Sequence, residues 1–263
     1  MPASLLHRMS NHHAAQHLGP ACAELDCPPM RRRIFLMRHG SVDYFDADGR
    51  PFESESVSLN EAGRRQADAA GALLSEQKVR FDLAITSGLP RTVETARRVL
   101  AACGQSDLRC ENEPAMVEIR DGDLDSIPEA DREEVFTRVF LTTGDVEGLV
   151  YLAGETIGEM LDRVLPAFDK LLARPDWDCL LLVLHGAVNR ALLSRALMGR
   201  RGFLGRFEQA PACINIVDVG PNDMIVRATN LAPTQWLQGQ DRRTSMELFY
   251  ADYVPQRARP ETG

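Results

Sequence analysis

Ile34-Phe35-Leu36-Met37-Arg38-His39-Gly40 is an apolar run that stops at a cation, an imidazole and a glycine. Four consecutive apolar residues ended in this way suit a short strand covered on both faces. Leu180-Leu181-Leu182-Val183-Leu184-His185-Gly186 repeats the arrangement. In open α/β sheets, ligands gather beyond the carboxyl ends of strands, where loops and helix N-termini present backbone N–H groups. His39 and His185 both fall at such a place.

Working outward, the pattern predicts strands over 33–38, 82–86 and 178–184 and near 213–219 and 223–229. Helices are predicted over 60–77, 89–102, 131–141, 156–173 and 187–199. In the first of these, Ala62, Gln66, Ala69, Ala70, Leu73 and Leu74 share one face, with Ser58 or Asn60 as the cap. Alternation of this kind implies an α/β three-layer sandwich with a largely parallel central sheet and helices on both faces. Residues 31–255 are read as one domain, 1–30 as a disordered N-terminal extension and 256–263 as a tail.

The chain has 263 residues, 44% hydrophobic and 26% charged, and a formal net charge of -8. That acidity argues against a nucleic-acid or anionic-membrane surface, so any anion site must be locally positive. The longest apolar run, Leu180 to Leu184, is far short of the roughly 20 residues that span a bilayer. Six cysteines without Cys-x-x-Cys spacing suggest a reducing, cytoplasmic setting. His7, His12, His13, His17, Cys22 and Cys27 enrich the N-terminal stretch without a zinc-finger spacing, and no metal is expected there.

Chemically, His39 sets a nucleophilic nitrogen beside a permanent cation, Arg38. An imidazole nitrogen can attack phosphorus, and a guanidinium can hold phosphoryl oxygens through paired, charge-assisted hydrogen bonds. Further along stand Leu59-Asn60-Glu61-Ala62-Gly63, Ser87-Gly88-Leu89-Pro90-Arg91-Thr92-Val93-Glu94-Thr95-Ala96, Glu118 with Gly122, Gly154-Glu155-Thr156 and His185-Gly186. In this order and at these separations, over about residues 33–230, the chain resembles the histidine phosphatase superfamily, which includes the phosphoglycerate mutases.

The resemblance implies a phosphoglycerate mutase-like fold and a metal-independent phosphomonoesterase acting on a small phosphorylated metabolite, with no cofactor. His39 would be the nucleophile. Arg38, Arg91, His185 and Gly186 would hold the phosphoryl group, and Glu118 would move the proton. Arg190 matches a common family arginine and is given only a structural role. Val42 and Phe45 stand where the family often has Thr or Ser and Asn, so one auxiliary phosphate contact is expected to be missing. The segment from Glu118 to His185 is short beside the mutases' insertion, which favours hydrolysis. A mutase-like phosphotransferase, a phosphoprotein phosphatase and a non-catalytic phosphate binder are the alternatives. Oligomeric state is open, a homodimer being allowed.

Three other patterns compete. Asp121-Gly122-Asp123-Leu124-Asp125-Ser126 starts like a calcium loop, but Ser126 and Arg132 replace its glycine and glutamate. Asp123-Leu124-Asp125-Ser126 is similar to the motif of magnesium-dependent haloacid-dehalogenase-like phosphatases, but follows no hydrophobic strand. Cys103 to Arg109 has the Cys-x5-Arg spacing of a cysteine phosphatase, but Asp107 would repel an anionic substrate.

Overall fold

Strands β1 (Arg32–Arg38), β2 (Leu83–Thr86), β3 (Cys110–Asn112), β4 (Cys179–Leu184), β5 (Ile214–Val219) and β6 (Met224–Leu231) form one sheet ordered β3-β2-β4-β1-β5-β6. The computed structural model describes residues 30–46, 52–142, 146–235 and 242–257. Arg31–Gly263 makes up one compact unit, and the expectations for the N-terminal stretch fall outside the described residues. β3, β2, β4 and β1 pair in parallel, while β5 runs antiparallel to both β1 and β6. The sheet is therefore mixed, with a parallel half that carries both histidine-ended strands at its centre.

Side chains alternate across the sheet because successive Cβ atoms point to opposite faces. Phe35, Met37, Leu181 and Val183 meet Ala70, Leu74, Ala96, Val99 and Leu100 from α1 (Glu61–Glu76) and α2 (Pro90–Ala102). Ile34, Leu36, Leu180, Leu182 and Leu184 meet α4 (Ile157–Ala173) and α5 (Gly186–Met198) on the other face. The run 180–184 is wholly buried, each side chain contributing about 1.5–3 kcal/mol. Asn60, not Ser58, caps α1, its side chain accepting from Gly63 N at 2.8 Å.

Sequence periodicity misses two elements. β3 is a three-residue edge strand with two exposed polar residues, so it has no apolar pattern to detect. The second is α6 (Ser245–Arg257), whose Phe249, Tyr250 and Tyr253 pack around Phe136 of α3 (Arg132–Arg138), Tyr253 stacked on it and the other two tilted. α3 is shorter than the predicted 131–141 because Glu129–Asp131 forms a separate 3-10 turn and the helix stops at Arg138.

Candidate active site

Parallel pairing of β1 with β4 sets Arg38 opposite Leu184, which places the two histidines side by side just past the strand ends. His39 N donates to Leu184 O at 3.0 Å, and His39 O accepts from Ala212 N at 3.0 Å, so its backbone is gripped from the end of β4 and from the turn before β5. The two imidazole centroids lie 5.3 Å apart. His39 Nδ1 is 2.7 Å from Gly40 O. A carbonyl can only accept, so Nδ1 carries the hydrogen and Nε2 keeps its lone pair. A side chain at Gly40 would come within 2.4 Å of Gly63 O on α1, which is why the turn needs glycine. Gly40 N donates to Thr95 Oγ1 at 3.1 Å, tying the turn to α2.

Arg91 lies in the first turn of α2 and is buried, with one NH group donating to Ser54 O at 2.6 Å. Arg38 donates to Gln209 O and to Ser245 Oγ at the start of α6. Arg38 Nε, Arg91 Nε and His185 Nδ1 are buried and find no hydrogen-bond partner among the described residues. Buried donors are normally paired, so these unpartnered guanidinium N–H groups near two imidazoles are chemically suited to an anion. Burial, then the fields of Arg91 and Arg38, hold the His39 pKa well below its ordinary value. His185 is lowered in the same way by burial, Arg91, His39 and Arg38. Both shifts favour the neutral ring in the free protein, the form in which one imidazole nitrogen keeps a lone pair.

Glu118 also reaches Gly186 and the residue after it. Its two carboxylate oxygens accept from Ala187 N at 3.2 Å each, and Oε1 accepts from Ile119 N at 3.0 Å. This puts a negative group on the N-terminus of α5, where the helix dipole favours it. A methyl group at Gly186 would sit 3.6 Å from Glu118 Oε2 and 3.7 Å from Arg38 Nε, so cation and carboxylate flank the same glycine. The structure thus brings Arg38, His39, Arg91, Glu118, His185 and Gly186 together. Arg190 lies behind them, donating to Gly205 O and Gly186 O and covering the Phe140 ring.

Arg163 and Gln209 carry no sequence signal of their own, whereas Glu155, Gly122, Gly154 and Ser87 stand in the sequence motifs without an assigned role. Arg163 of α4 donates to Ala115 O, Val117 O and Glu118 O, and pairs with Glu155 at 2.7 Å. Burial pushes the Glu155 carboxyl up, but the hydrogen bonds from Arg163 and Arg120 N, together with the fields of both arginines, outweigh it and keep the group below its ordinary value. Glu155 therefore fastens the Glu118 loop. Added side chains at Gly122 and Gly154 would meet Ala153 O at 2.1 Å and Arg120 O at 2.3 Å, so these glycines let two loops cross. Ser87 Oγ lies 2.8 Å from His185 Nε2. Gln209 is fully buried and presents the carbonyl that holds Arg38.

The competing patterns take other places. Cys103 caps the end of α2, and burial pushes its thiol pKa up, the reverse of what a nucleophilic thiolate requires. Asp123 caps a 3-10 turn over Leu124–Ser126, accepting from Asp125 N at 2.9 Å. Among the described residues no group of three or more His, Cys, Asp or Glu side chains is placed to hold a metal ion, and no helix is long and apolar enough to cross a membrane.

Comparison with known proteins points one way. A 2,3-bisphosphoglycerate-dependent phosphoglycerate mutase of Mesorhizobium japonicum is 31% identical over 180 residues, 66% of this chain and 84% of that protein. The corresponding mutase of Bartonella henselae is 37% identical over 98 residues, 37% of this chain and 47% of that protein. Among solved structures, a mycobacterial glucosyl-3-phosphoglycerate phosphatase superposes with a TM-score of 0.59 at 22% identity, covering 76% of this chain and 98% of that one. An α-ribazole phosphatase from Shigella flexneri gives 0.56 at 24% identity, covering 75% and 96%. A phosphoglycerate mutase from Bacillus anthracis gives 0.59 at 17% identity, covering 80% and 97%, and this likeness establishes the phosphoglycerate mutase-like fold. The profile of the histidine phosphatase superfamily (branch 1) matches residues 34–232, and the chain belongs to that superfamily.

Proposed function

We propose that the protein is a phosphomonoesterase that works through a phosphohistidine at His39, without a metal, on a small phosphorylated metabolite. One observation carries this reading: His39 Nδ1 hydrogen-bonds Gly40 O, which leaves Nε2 bare beside His185, with the fields of Arg38 and Arg91 falling on both rings. Nε2 attacks phosphorus as the bond to the leaving oxygen breaks, and Glu118 supplies that oxygen with a proton. Water then attacks the phosphohistidine, giving its proton to Glu118 and releasing inorganic phosphate. Arg38, Arg91 and His185 hold the three phosphoryl oxygens throughout. Such preorganised donors count most where charge shifts in the transition state.

A phosphoglycerate mutase-like phosphotransferase is the second reading, favoured by the identity of the mutase relatives. Retaining the leaving group long enough to return the phosphoryl group would replace attack by water. The short segment between Glu118 and His185 favours hydrolysis.

A panel of phosphomonoesters and phosphopeptides, assayed with chelator present, tests the proposal. Wild type should release free phosphate and accumulate an acid-labile phosphoryl-enzyme, and His39→Ala should lose at least about 10³-fold in kcat. Isotope-labelled phosphoryl that moves between substrate positions without appearing as free phosphate would select the mutase reading. Full activity in His39→Ala would reject both.

A further inference from the structure

Ser87 stands at the end of β2, beside β4 in the sheet, and its hydroxyl has one hydrogen and several neighbours. His185 Nε2 is 2.8 Å away, Thr92 Oγ1 is 3.1 Å away, and Leu89 N donates to Ser87 Oγ at 3.4 Å. Thr92 Oγ1 gives its own hydrogen to Leu89 O at 2.8 Å, because a carbonyl cannot donate. The Ser87–Thr92 contact is then a hydrogen bond only if Ser87 donates. With the serine hydrogen so placed, the contact to His185 is a hydrogen bond only if Nε2–H donates. One arrangement therefore satisfies every contact, and it leaves His185 Nδ1, a buried atom with no partner among the described residues, as a bare lone pair.

A lone pair repels an oxyanion, so His185 can help hold a phosphoryl group only after gaining a second hydrogen. We propose that Ser87 is a positioning residue: anchored by Thr92, it fixes the hydrogen of neutral His185 on Nε2, so that binding of a phosphoryl dianion brings one proton from solvent onto Nδ1. This rests on the placement of the phosphoryl group given above and extends it. Facing His185 are His39 and Arg38 from the end of β1, Arg91 from α2, Arg163 from α4 and the Glu118 carboxylate across Gly186. These cations, together with burial, keep the ring neutral until an anion arrives. The anion's two negative charges oppose them and stabilise the imidazolium. The ring then becomes a third cation in the clamp, present only in the complex.

Calorimetric titration with tungstate, a dianion over about pH 7 to 9, in buffers of different ionisation enthalpy counts the protons taken up. Wild type should take up close to one proton per tungstate. Affinity should fall about tenfold per pH unit, and 15N shifts should show His185 protonated on both nitrogens in the complex. Ser87→Ala removes the constraint. Thr92→Val acts from a side chain with no substrate contact, freeing the Ser87 hydrogen to bond Nε2. In both variants neutral His185 can present Nδ1–H, so uptake should drop well below one proton and the pH dependence should flatten. Thr92→Ser should keep wild-type uptake, and it controls for packing. No uptake by wild type, undiminished uptake in Thr92→Val, or a neutral His185 in the wild-type complex would overturn the proposal. Normal proton uptake in a protein that never forms a phosphoryl-enzyme would instead sink the phosphatase reading and leave this one standing.

Discussion

At the residue scale, His39 depends on two hydrogen bonds that set its backbone and one that sets its tautomer. Glu118 depends on neighbours that sequence periodicity does not reveal. Its oxygens are fixed by Ala187 N and Ile119 N, and its carbonyl by Arg163. Glu118→Gln keeps the shape and, on the mechanism proposed above, removes the proton carrier, so kcat should fall about 10²–10⁴-fold, equivalent to about 3–5 kcal/mol. Single-turnover assays with a poor leaving group should show the full loss, and an activated aryl phosphate much less. Arg163→Met would leave Glu155, whose side chain is only 7% exposed, without its closer ion-pair partner, only the longer contact with Arg120 at 3.6 Å remaining. A stability loss of about 3–5 kcal/mol is expected from urea unfolding, with Glu155→Gln in the same chain restoring part of it.

At the scale of elements, the glycines in the sequence motifs mark backbone crossings. Gly40 passes under Gly63 of α1, and Gly122 passes under Ala153 and Gly154. Gly122→Ala would drive a methyl group to 2.1 Å from Ala153 O. Overpacking against backbone costs about 1–3 kcal/mol, and the shift is transmitted to Glu118 four residues away. Thermal melting should fall by several degrees, with kcat lowered more than KM changes. Legibility also varied by element. Buried strands and amphipathic helices were readable because their apolar periods are long. β3 was not, being short and polar, and α6 was not, because its aromatic residues are explained only by their contacts with Phe136 and Phe45.

At the scale of the whole molecule, two buried neutral histidines make stability depend on pH. Their folded pKa values are lowered, so below about 6.5 the unfolded chain binds more protons and stability falls as pH drops. Each can contribute up to about 1.4 kcal/mol per pH unit in that window. Urea unfolding between about pH 6.5 and 5 should show a shallower loss for His185→Asn than for wild type, whereas equal slopes would show that the ring is not neutral in the fold. The order of the buried strands and of the amphipathic helices between them, and the two histidines past strand ends, were determined by sequence alone, because apolar period and glycine placement are local properties of the chain. Which groups surround them was decided only by tertiary structure. Ser87, Arg163 and Gln209 act through hydrogen bonds to atoms of distant segments, and such bonds leave no periodic trace in the sequence.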